Sequence, residues 1–200
     1  MDIENSKFLD RNSDINEKTS LLPHWHQDGK LQFVTLHLCD SLPQNVKAGI
    51  KRHRDVWLKN HPKPWSHDDA ITYNRLFNKS FESILDSGYG ECLLRRAEIA
   101  DIVDNTLLHF NGSRYLLHAY VIMSNHLHVL YETLGDYRPE TIARSWKQYT
   151  TRMTNLLLGR KGTIWSAEIY DRIIRDEIHY NNVIAYIMKN ISYGGVRWMI

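Results

Sequence analysis

Two hundred residues, 42% hydrophobic and 24% charged, suit one soluble globular domain with an ordinary core. No apolar run approaches the roughly 20 residues of a membrane span, and the polar start Met1-Asp2-Ile3-Glu4 lacks the apolar stretch of a signal peptide, so a cytoplasmic chain is expected. Cys39 and Cys92 are too few for a disulfide framework, and the formal charge of +2 is uneven, with ten Lys or Arg against five Asp or Glu over residues 138–200.

Residues 1–22 are expected to be a flexible segment, and 23–200 a single domain with an insertion around 61–90. Lys30 to Cys39 reads as a strand that ends at the turn-like Asp40-Ser41-Leu42-Pro43. Gln44 to Asn60 has helical spacing through Val46, Ile50 and Val56 or Trp57, and Pro62 and Pro64 stop it. A second helix is expected from Cys92 to Phe110, with Ile99, Ile102, Val103 and Leu107 on its buried side. Tyr115 to Met123 and His126 to Glu132 read as strands joined by a tight turn at Ser124-Asn125.

The spacing predicts a helix over Pro139 to Leu158, burying Ile142, Trp146, Tyr149, Met153, Leu156 and Leu157. Thr163 to Arg175 is irregular or holds a short strand, and a last helix from Asp176 to Asn190 has Asp176 as its N-cap. This order predicts an α+β fold, an antiparallel sheet with helices packed on one face.

His126 and His128 are two apart on a strand, so both project from one side, with Cα atoms roughly 6–7 Å apart, while Leu127 faces the other way. Two imidazoles so placed can share a divalent ion. Tyr186 and Asn190 lie one turn apart on the last helix. Asn190 can supply an amide oxygen to Mg²⁺ or Mn²⁺. Tyr186 can act as a covalent nucleophile or simply pack in the core, and Tyr149 is a rival for either role. Arg144, Lys147 and Arg152 share a polar helix face that suits a phosphate backbone or plain solvation. Trp165, Arg172 and Arg175, with Tyr170, form an aromatic and basic cluster suited to unpaired bases and their phosphates, or to the core and a structural ion pair.

Taken in order, these segments resemble the REP-associated tyrosine transposases, relatives of the single-tyrosine HUH transposases. The likeness runs from about Pro23 to Gly195. It is carried by Phe33-Val34-Thr35 with Asp40-Ser41-Leu42-Pro43, by Leu85-Asp86-Ser87-Gly88-Tyr89-Gly90, and by Met123-Ser124-Asn125-His126-Leu127-His128. Trp146-Lys147, Trp165 with Tyr170-Asp171-Arg172, and Tyr186-Ile187 with Asn190 complete it. Ser124 stands where such proteins usually have proline, and Ile191 follows Asn190 where they commonly continue with proline.

The resemblance implies a ferredoxin-like HUH domain that binds single-stranded or hairpin DNA. It implies a divalent metal, Mg²⁺ or Mn²⁺, on His126, His128 and Asn190, with Tyr186 as the catalytic nucleophile. Tyr186 would cleave one strand, keep the 5′-phosphate and release a 3′-hydroxyl. The rival expectation is a hairpin-binding regulatory protein without useful catalysis, and a third is a hydrolase that uses water in place of Tyr186.

Overall fold

Every second residue of His126-Leu127-His128-Val129-Leu130-Tyr131 faces the same way, and both faces are buried. A strand buried on both sides must lie inside a sheet with cover on each face. In the computed structural model, which describes residues 5–10, 16–19, 23–27, 29–62, 65–73, 76–77 and 80–200, this is the case. Strands β1 (Asn16–Thr19) and β2 (Pro23–His26) form an antiparallel hairpin. Strand β3 (Leu31–His37) is followed by helices α1 (Gln44–Asn60), α2 (His67–Tyr73) and α3 (Ser80–Asp86). Then come α4 (Ala97–His109), β4 (Tyr115–Ile122), β5 (His126–Thr133), α5 (Pro139–Leu158), β6 (Tyr170–Ile173), α6 (Glu177–Ser192) and β7 (Arg197–Met199).

The main sheet has the order β6-β3-β5-β4-β7, antiparallel throughout. Without β7, the elements β3, α4, β4, β5, α5 and β6 make the split β-α-β-β-α-β pattern of ferredoxin-like folds. The expected α+β fold with an antiparallel sheet is therefore present. The one-face arrangement holds for α4 and α5 only, which pack Ile99, Val103, Leu107, Ile142 and Trp146 against Val34, Leu36, Leu127, Val129 and Tyr131. The third helix, α6, covers the opposite face, where Val183 and Ile187 meet Phe33, Ala119, Val121 and Leu130. A short strand buried on both sides requires this second cover, because the residues of its other face, His126, His128 and Leu130 in β5, also have to leave water.

Local expectations differ from the structure at several points. The buried line of α5 is Ile142, Trp146, Thr150 and Thr154, while Tyr149, Leu156 and Leu157 are exposed. Trp146 anchors that line: its ring meets Tyr115 and Tyr131 edge-on, and its Nε1 donates to the Tyr115 hydroxyl at 2.9 Å. Residues 5–10, within the segment expected to be flexible, are docked: Phe8 enters the second core, and Lys7 donates to the Glu132 carboxylate at 2.7 and 2.9 Å. The tail after Gly195 adds β7 to the sheet, a strand without enough alternation to be seen in sequence. Within the insertion, Trp57, Trp65, Tyr73 and Phe77 form an aromatic cluster of their own. Among the described residues no helix is long and apolar enough to cross a membrane.

Candidate active site

The strand register puts Phe33, Thr35 and His37 of β3 opposite Leu130, His128 and His126 of β5, all on the face that α6 covers. His126 and His128 thus project together, with ring centroids 4.9 Å apart. His128 stacks on Phe33 at 5.5 Å, and its Nδ1 is hydrogen-bonded to Thr35 Oγ1 at 2.8 Å. The Nδ1 of His126 lies 2.8 Å from Asn125 Oδ1, and Asn125 Nδ2 donates to the Tyr89 carbonyl at 3.0 Å. Burial disfavours the imidazolium form of both rings: the His126 pKa is lowered to about 3, and that of His128 is held well below its ordinary value. At neutral pH both are uncharged and keep a nitrogen lone pair.

Helix α6 starts at Asp176, whose side chain caps the His179 N–H at 2.7 Å as the sequence predicts. Val183 and Ile187 pin it to the sheet, which aims Tyr186 at the histidines. The Tyr186 hydroxyl lies 3.2 Å from Nε2 of His128, and its ring meets Phe33 and His128 edge-on. Asn190, one turn on, is buried, and its Nδ2 donates to the Tyr186 carbonyl at 2.9 Å. The Tyr186 pKa is pushed up, first by burial and then by the carboxylates of Glu82 and Asp86, while Asn190 and Arg172 oppose the rise. His126, His128, Tyr186 and Asn190 are therefore brought together. Tyr149 is exposed on α5, across the sheet, and takes no part.

The turn before β5 is held by a loop from the insertion. Glu91 N–H donates to Asp40 Oδ2 at 2.7 Å, and Gly90 sits so close that an added Cβ would stand 2.7 Å from the Asp40 carbonyl oxygen and carboxylate. Gly90 also has φ +89°, which favours glycine. Gly90→Ala is expected to cost roughly 1–3 kcal/mol, read as a lower denaturant midpoint. It should also loosen the His126 ring, because the Tyr89 carbonyl orients Asn125 and, through it, His126.

The residues expected to touch DNA divide into three groups. Arg144, Lys147 and Arg152 line a groove of about 510 Å³ on α5, with Gln148, Thr151 and Ile169. Lys147 is committed there, since its ammonium donates to the carbonyls of Ser166 at 2.5 Å and Ala167 at 3.3 Å. Arg172 lies on the histidine face, 4.8 Å over the Phe33 ring and 3.4 Å from Glu82, while Arg175 is exposed just before α6. Trp165 does not fit its expected role. It is 2% exposed in the first core with Nε1 donating to Thr150 Oγ1 at 2.8 Å, so no ring face is open to a base. Two neighbours went unseen in the sequence: His37 opposite His126, and Asp86, whose Oδ1 lies 3.6 Å from His126 Nε2. The alternation of β3 could have revealed His37; Asp86 arrives from a helix whose placement no local pattern specifies.

A divalent cation fits the donor chemistry here. His126 Nε2 is buried without a hydrogen-bond partner, a neutral imidazole lies beside it, and an amide follows on α6. Among the described residues no three His, Cys, Asp or Glu side chains surround one point, so any such ion depends on fewer of these side chains, with Asn190 or a substrate oxygen completing its shell.

No family model and no curated protein matches the chain. A solved structure that does match is that of a REP-associated tyrosine transposase bound to a REP hairpin. It is 14% identical, with 87% of this chain and 73% of that chain covered at a TM-score of 0.47. That likeness is too loose to carry any property from one chain to the other.

Proposed function

We propose that this protein is a metal-dependent single-strand DNA endonuclease and strand transferase that acts at repetitive hairpin elements through a 5′-phosphotyrosine intermediate. The observation that carries this reading is the Tyr186 hydroxyl 3.2 Å from His128 Nε2, on the sheet face that also holds His126. A tyrosine aimed from a helix at a paired histidine is the geometry of a nucleophile with an acceptor for its proton.

At rest the proton stays on the tyrosine, since burial raises the Tyr186 pKa and lowers that of His128. A scissile phosphate entering this face brings negative charge, which favours the imidazolium and so makes His128 a better acceptor. Tyr186 Oη then attacks phosphorus, its proton passing to His128 Nε2. The bond to the 3′-oxygen breaks, and that oxygen leaves as a hydroxyl by taking a proton from water, which the His128 imidazolium replaces by releasing its own. The 5′-phosphate remains on Tyr186, and a returning 3′-hydroxyl can reverse the step. A divalent cation held by His126 and Asn190, with His128 Nε2 left free as the proton acceptor, would supply charge neutralisation and polarise the phosphate. Arg172, which lies over the Phe33 ring, would hold a non-bridging phosphate oxygen.

The α5 groove lies across the sheet from Tyr186, so it is suited to a flanking DNA segment rather than the scissile phosphate. Replacing Arg144 and Arg152 together with alanine should weaken hairpin-DNA binding and reduce the slope of log K against log salt by roughly 1–2, with adduct formation at saturating DNA unchanged. One observation favours the second reading, a hairpin-binding regulator: the carboxylates of Glu82 and Asp86 oppose ionisation of Tyr186. The readings separate when the protein is incubated with labelled single-stranded hairpin DNA and Mg²⁺ or Mn²⁺ and run on a denaturing gel. A protein-linked band supports the transesterase. Binding without that band, with both metals and several hairpins, supports the regulator.

A further inference from the structure

His37 and His126 stand directly opposite each other on neighbouring strands, so their Cβ atoms are about 5 Å apart, as in any cross-strand pair. Both are buried, 3% and 1% exposed. Each has its tautomer set by what it touches. The Nδ1 of His37 lies 3.0 Å from the Leu38 carbonyl and 2.7 Å from Ser41 Oγ, whose own hydrogen goes to that carbonyl at 2.8 Å. Both neighbours accept, so Nδ1 carries the proton. The Nδ1 of His126 faces Asn125 Oδ1 at 2.8 Å, and the Asn125 amide is oriented by its donation to the Tyr89 carbonyl. Here too Nδ1 carries the proton.

Both Nε2 atoms therefore present bare lone pairs, and both are buried without a hydrogen-bond partner. An unsatisfied buried polar atom is costly, and two such acceptors on directly paired residues of neighbouring strands call for something that takes electron pairs. Burial opposes a proton in that role, since it lowers the pKa of His37 to about 4 and that of His126 to about 3. A metal cation meets the same need and also neutralises nearby charge. The Asp86 carboxylate, 3.6 Å from His126 Nε2, adds negative charge on that side. His128 is the imidazole of the three whose two nitrogens are both engaged, with Thr35 and Tyr186.

We propose that His37 joins His126 as a ligand of one transition-metal dication, a two-imidazole clamp across β3 and β5 that favours Zn²⁺ over Mg²⁺. This adds a ligand to the metal-dependent site proposed above and rests on that reading for the presence of an ion. Imidazole nitrogen suits zinc better than the hard Mg²⁺ ion, which prefers oxygen. Ser41 and Asn125 act as positioning residues, because each fixes the proton on Nδ1 and leaves Nε2 to the metal.

The test is a Zn²⁺ titration of the full chain followed through imidazole ¹⁵N resonances, with calorimetry on the wild type, His37→Gln and His126→Ala. The expected result is a shift of Nε2 in both His37 and His126 at one equivalent of Zn²⁺, with His37→Gln weakening Zn²⁺ binding at least about tenfold. The wild-type resonances decide the matter even if His37→Gln fails to fold. Shifts at His126, with or without His128, that leave His37 unmoved would overturn the clamp and keep the proposed active-site metal. Shifts confined to exposed histidines, or none at all, would overturn both.

Discussion

Tyr186→Phe is expected to abolish the covalent protein–DNA product while leaving hairpin-DNA affinity within about twofold and the fold intact. The ring stays, with its edge contacts to Phe33 and His128, and only a hydroxyl at 3.2 Å from His128 is lost. A net hydrogen bond of that kind contributes on the order of 1 kcal/mol to stability. Its contribution to reaction would be far larger, because without Oη nothing can form the bond to phosphorus. The fall in rate should be on the order of 10³-fold or more, read as loss of the protein-linked band on a denaturing gel beside a native-gel binding curve. If cleavage survives in Tyr186→Phe, water is the nucleophile, and His126 and His128 serve a hydrolase. If the wild type gives no band, the regulator reading takes over.

Acid should destabilise the metal-free protein well before its carboxylates are protonated. His37 and His126 are neutral and buried, with folded pKa values of about 4 and about 3 against 6.5 for the free side chain. Above pH 6.5 neither state binds the proton and these groups contribute no pH dependence. Below it the unfolded chain takes up protons that the folded chain cannot, so stability falls as pH falls, down to about pH 4 for His37 and about pH 3 for His126. At pH 5 this amounts to roughly 2 kcal/mol for each of the two, and His128, shifted the same way, adds to it. Urea midpoints at pH 7, 6, 5 and 4 in the presence of a chelator measure the effect. A flat profile from pH 7 to 5 would mean that these imidazoles are hydrated or already protonated in solution.

Local patterns in the chain determined a good part of this arrangement. The helices Gln44–Asn60 and Pro139–Leu158 have the ends expected of them, since prolines and glycines act on the adjacent backbone alone. The Asp176 cap and the shared face of His126 and His128 likewise follow from φ/ψ geometry and a period of two. The i, i+4 spacing of Tyr186 and Asn190 needed nothing beyond helical rise. What the sequence left open was every choice between surfaces. It could not rank Tyr186 over Tyr149, because both are helical tyrosines beside apolar residues. The ranking came from α6 packing on the histidine face while α5 took the other. Trp165 went to the core and Lys147 to two carbonyls for the same reason: burial and polar satisfaction depend on what lies opposite, and periodicity has no access to that. His37 and Asp86 stand beside His126 only because β3 pairs with β5 in this register and α3 returns over the sheet. Contacts between residues tens of positions apart are a property of the folded topology, and the candidate site is made almost entirely of such contacts.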